Sequence, residues 1–91
     1  MTTYRDLIEL VLKREIGILG REKTLAVARD AGLQAGDDGS LKGFAQPGKN
    51  DLERLMKAFS EKYGVVTVIG CKVAVMRAAW ESKLELPEIL R

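Results

Sequence analysis

The chain has 91 residues, with 15 Lys+Arg against 13 Asp+Glu for a formal charge of +2. That is the size of one globular domain, residues 1–91, with too small a basic excess to require a nucleic-acid partner. It has no histidine and a single cysteine, which excludes imidazole-dependent triads and zinc sites, an intrachain disulfide and a four-thiolate metal centre.

Residues 2–19 are expected to form an amphipathic helix. Tyr4, Ile8, Val11, Leu12 and Ile16 recur at three- and four-residue steps, Thr2 or Thr3 is placed to cap the start, and Asp6 lies in the first turn. Arg5, Glu9 and Lys13 follow at four-residue intervals and offer surface ion pairs. Gly17 and Gly20 weaken the end of the helix and predict a bend or break there. A second helix is expected over 21–31, stopped by Gly32. The Asp38-Gly39 dipeptide, flanked by Leu33 and Leu41, signals a short hairpin over 33–44. Asn50 with Glu53 resembles a capping box for a third helix over 50–63, with Leu52, Leu55, Met56, Phe59 and Tyr63 on one side and Glu53, Lys57 and Glu61 on the other.

The stretch 65–84 opens with a strand-like composition, yet a helix explains more of it. Val66, Ile69, Val73, Met76 and Trp80 make a bulky stripe, Gly70, Ala74 and Ala78 a second stripe of small residues, and Val65, Val68, Val75 and Ala79 a third side. A helix apolar on nearly every side is expected to be buried, so it is taken as the central helix about which the others pack. Pro87 suits the first position of a short terminal turn of helix, whose Leu84, Leu86, Ile89 and Leu90 are expected to fold back near Trp80. The fold class is therefore mostly α: a compact four-helix domain with a β-hairpin between helices 2 and 3 and a short C-terminal helical turn. The expected core comprises Tyr4, Ile8, Val11, Ile16, Leu25, Phe44, Leu52, Leu55 and Phe59, together with the bulky stripe.

Chemistry is sparse. Cys71 lies among apolar neighbours and reads as an inert buried thiol rather than a nucleophile. Asp37 and Asp38 suit turn chemistry better than a calcium loop, which needs further ligands at alternating positions. The serines have no evident partner base and there is no glycine-rich phosphate loop, so no catalytic residue, metal or cofactor is expected.

Two functional readings remain. The first is a non-enzymatic cytoplasmic binding or assembly domain acting through helix-mediated self-association, most simply a homodimer, or through a protein partner. The cytoplasmic placement rests on the lone cysteine and on the lack of a leader or an apolar run of about 18 residues. The interface residues proposed for it are Gly70, Ala74, Ala78, Leu86, Ile89 and Leu90, since small side chains permit close approach of another helix. The alternative is a winged-helix-like nucleic-acid binder, a transcriptional regulator, contacting its target through Arg21, Lys23, Arg29 and Lys42. Glu22, Asp30, Asp37 and Asp38 interrupt that basic surface.

Overall fold

The computed structural model describes residues 3–42 and 47–81. They form four helices, Tyr4–Leu19 (α1), Arg21–Asp30 (α2), Lys49–Tyr63 (α3) and Val65–Glu81 (α4), with an antiparallel hairpin of Gln34–Ala35 (β1) and Leu41–Lys42 (β2) between α2 and α3. The mostly helical class, the order of elements and the position of the hairpin agree with the sequence pattern. Phe44 and the terminal segment with Leu84, Leu86, Ile89 and Leu90 lie outside the described residues.

Local chemistry sets the ends of the helices. Thr3 and Asp6 cap α1 reciprocally: the Asp6 N–H donates to Thr3 Oγ1 at 3.3 Å and the Thr3 N–H donates to Asp6 Oδ2 at 2.9 Å. The helix runs through Gly17 without a break and stops at Gly20, whose φ of 93° is a left-handed value that favours glycine. α3 starts earlier than the expected Asn50 cap. The Gly48 N–H donates to Asp51 Oδ2 at 2.8 Å, which leaves Asn50 inside the helix and Glu53 free to pair with Lys57 at 2.9 Å. The hairpin is tied to α1 through its backbone: Arg5 donates to the Leu41 carbonyl at 2.6 Å, and the Leu41 N–H donates to Glu9 Oε2 at 2.8 Å. Arg5 and Glu9, which the spacing pairs with each other, both hold β2.

The core gathers Leu7, Ile8, Val11 and Leu12 of α1, Val27 and Ala28 of α2, Leu33 just before β1 and Leu41 of β2, Leu52, Leu55, Met56 and Phe59 of α3, and Val68, Cys71, Val75 and Ala79 of α4. Tyr4, Ile16 and Leu25 are only half-buried. α1 packs against each of the other three helices and against β2, whereas among the described residues α4 packs against α1 and α3 only. The central helix is thus α1, not α4. The described chain measures 32 × 28 × 19 Å, and its short dimension is about two helix layers at 8–10 Å between axes. In a two-layer packing every helix keeps an outward side, and α4 turns a bulky apolar one to solvent.

A candidate interaction face on helix α4

The stripe expected in the core is the surface of the molecule. Val66, Ile69, Val73, Met76 and Trp80 are 40–85% exposed, and Val65 beside them is also exposed. The buried side of α4 is the third one, with Val68, Cys71, Val75 and Ala79. These residues are smaller on average, and their modest bulk lets α4 sit close on α1 and α3 while the large side chains point away. Together with Val65 the stripe residues form a row of exposed large apolar side chains along one side of α4, the kind of surface that marks an interaction site when its residues are contiguous.

The small residues lie on one shoulder of this face. Ala74 and Ala78 are half-buried and line a groove between α1 and α4 with Leu10 and Arg14 on one wall and Val73, Arg77 and Glu81 on the other. Their smallness thus serves the approach of α1. Gly70 lies in α4, and Leu86, Ile89 and Leu90 fall outside the described residues. At the C-terminal end of the stripe Val73, Met76, Arg77, Trp80 and Glu81 enclose a second hollow. The charges flanking the face are Lys72, Arg77 and Glu81.

The basic residues of the alternative reading are spread over α2 and the hairpin. Arg21, Lys23, Arg29 and Lys42 are all exposed. Lys23 reaches toward α3, its Nζ 6.0 Å from the centre of the Tyr63 ring, while Arg29 shares a hollow with Glu22, Leu25 and Ala35 on the hairpin side. Six residues apart on a helix, Lys23 and Arg29 point about 120° away from each other. Lys42 lies over Gly36 of the hairpin. Asp38 accepts from the Ser40 N–H at 3.0 Å, the turn role expected of it, and this bond holds its carboxyl below the ordinary aspartate range. Among the described residues no group of three or more His, Cys, Asp or Glu is placed to hold a metal ion, and no helix is long and apolar enough to cross a membrane.

Cys71 is buried, as its neighbours predict, but it has a partner the apolar pattern did not reveal. Its thiol donates to Oε1 of Glu15 at 3.0 Å. Glu15 is only 1% exposed, and its Oε2, like the Thr24 hydroxyl, is buried without a hydrogen-bond partner among the described residues. Burial pushes the Glu15 carboxyl above its ordinary value, an effect the Cys71 hydrogen bond only partly offsets. Burial, and then the neighbouring Glu15, push the thiol far up in turn. A signal for Glu15 was present: with Ile8, Val11 and Leu12 it completes the three- and four-residue steps of the inward side of α1.

No family model matches the chain, and neither a curated protein nor a solved structure matches it.

Proposed function

We propose that this chain is a small assembly domain that works through helix-mediated self-association rather than through catalysis, with α4 as the contact. The observation that carries this reading is the exposed row of Val66, Ile69, Val73, Met76 and Trp80 on a helix whose other side is packed in the core. Large aliphatic and aromatic side chains gain most from leaving water. A single row of them, rimmed by charge, has the composition of an interface core with its polar border. The two groups that burial pushes upward, Glu15 and Cys71, are sealed within the packing of α1 on α4, which suits a structural role. A lone buried thiol also suits a reducing compartment such as the cytoplasm.

The test is the molar mass across a dilution series, by light scattering coupled to gel filtration. The expected mass climbs from 10.0 kDa toward twice that as concentration rises. Val73→Glu, which sets a charge in the middle of the row, should stay at the monomer mass while keeping the wild-type circular dichroism. A wild-type chain that remains at 10.0 kDa into the high micromolar range overturns the proposal.

A further inference from the structure

We infer that Glu15 and Cys71 form a proton-dependent latch for α4: with Glu15 protonated the helix stays docked on α1, and ionisation of Glu15 opens the α1–α4 seam while α1, α2 and α3 stay packed together. The latch concerns how α4 is held and stands whatever meets its outer side. Glu15 is 1% exposed, its Oε1 accepts from the Cys71 thiol at 3.0 Å, and its Oε2 has no hydrogen-bond partner among the described residues. A thiol is a weak donor, too little to hold a carboxylate out of water. The seam accommodates a neutral carboxyl and opposes a charged one.

The charged groups on the surrounding elements are occupied or turned to solvent. Those of α2 and β2 are all exposed, as are Glu61, Arg77 and Glu81. In α3, Asp51 pairs with Arg54 and Glu53 with Lys57, while Lys62 reaches Asp30 of α2 at 3.7 Å. Lys49 of α3 has an interaction of its own, as does Lys72, the half-buried neighbour of Cys71 in α4. Arg14, exposed on α1, acts on the thiol. Glu15 itself answers to burial first and to the Cys71 bond second.

Packing confines the opening to α4. The thiol that covers Glu15 belongs to α4, so lifting that helix admits water to the carboxyl. Among the described residues α4 packs on α1 and α3, whereas α1, α2 and α3 each pack on the other two, and Arg5 and Glu9 tie the hairpin to α1. That remainder keeps its mutual contacts when α4 lifts, and such a unit opens at a lower free energy than the whole fold. Burial holds the carboxyl above its ordinary 4.5 while the seam is closed, and lifting α4 removes that burial. Opening therefore releases a proton. It is rarest at low pH and grows by up to about tenfold per pH unit above 4.5 until the raised value is passed.

Cys71 is itself the probe, being the one thiol of the chain and buried. The ratio of its labelling rate by a small disulfide reagent in the urea-unfolded chain to that in the folded chain, at the same pH, is a protection factor free of the thiol's own titration. In the dilute wild-type chain this protection should fall by up to about tenfold per pH unit above 4.5. Glu15→Gln should keep it within about threefold over the same range. In low urea the labelling rate should rise less steeply than global unfolding followed by circular dichroism. Amide hydrogen exchange of the wild type needs no variant: corrected for intrinsic exchange, the α4 amides should lose protection as pH rises while those of α1 and α3 keep theirs. The latch is overturned by a Cys71 protection that changes with pH alike in wild type and Glu15→Gln, by a labelling rate with the full urea slope of unfolding, or by α1 and α3 amides that lose protection together with α4.

Discussion

Glu15 is the residue whose environment most opposes its chemistry. A carboxyl in the core, with a thiol as its single donor and one oxygen unpartnered among the described residues, favours its protonated form. The folded state therefore keeps a proton that the unfolded chain releases near the ordinary value of 4.5. Wherever the native state binds more protons, stability falls as pH rises. The contribution is complete below that value and is lost as pH climbs through the raised folded value. Glu15→Gln keeps the shape and removes the titration, so its stability relative to wild type should increase as pH rises above the ordinary value of 4.5 in urea titrations. A difference that stays flat over that range would show that the fold does not raise the Glu15 carboxyl above its ordinary value. Two glycines give a second contrast. Gly39 has a φ of 86°, and an added Cβ would lie 2.9 Å from Cγ of Lys13 and 3.3 Å from its backbone nitrogen. Gly39→Ala should cost about 1–2 kcal/mol or more, from the left-handed conformation alone. Gly17 is inside α1 with open space around it, and Gly17→Ala should add about 0.5–1 kcal/mol.

At the scale of elements, α4 separates what periodicity reveals from what it does not. In α3 the charged residues Glu53, Lys57 and Glu61 stand opposite Leu52, Leu55 and Phe59, so sequence alone orients the helix, and those apolar residues are indeed buried. Ile8 and Val11 of α1 follow the same logic. α4 has apolar residues on three sides, so the pattern establishes a helix yet leaves its rotation open. Bulk is then a poor guide, because depth in the core depends on how closely α1 and α3 approach, and the smaller side with Val68, Cys71, Val75 and Ala79 permits the closer approach. The candidate face was legible as a row of residues but not as a surface; only the two-layer arrangement turns it outward. Val75 and Val73, two residues apart, make the difference measurable. Val75→Ala empties buried space and should cost about 1–3 kcal/mol, whereas Val73→Ala on the exposed side should change the stability of the dilute monomer by no more than about 0.5 kcal/mol. Equal losses at both positions would mean that α4 is rotated from the orientation described.

For the whole molecule, folding and association share one free-energy balance. The isolated chain leaves Trp80 and its row in water, and a second copy binds only the folded form, because the row exists as one face only while α4 is wound and docked on α1 and α3. A partner that binds the native state alone raises its stability by mass action, about 2.7 kcal/mol at a hundredfold excess over the dissociation constant. In a domain of this size such a gain moves the melting temperature upward by roughly ten degrees or more, at 4–8 °C per kcal/mol. The melting temperature of the wild-type chain should therefore climb with protein concentration, and Trp80 emission before the transition should shift from red toward blue over the same range. Val73→Glu should melt at one temperature at every concentration and keep the red-shifted emission of an exposed indole. If the wild-type chain also melts at a single temperature throughout while its mass doubles, the contact lies in a part of the molecule whose association is not coupled to the docking of α4, and the face described here is not the one that joins the two copies.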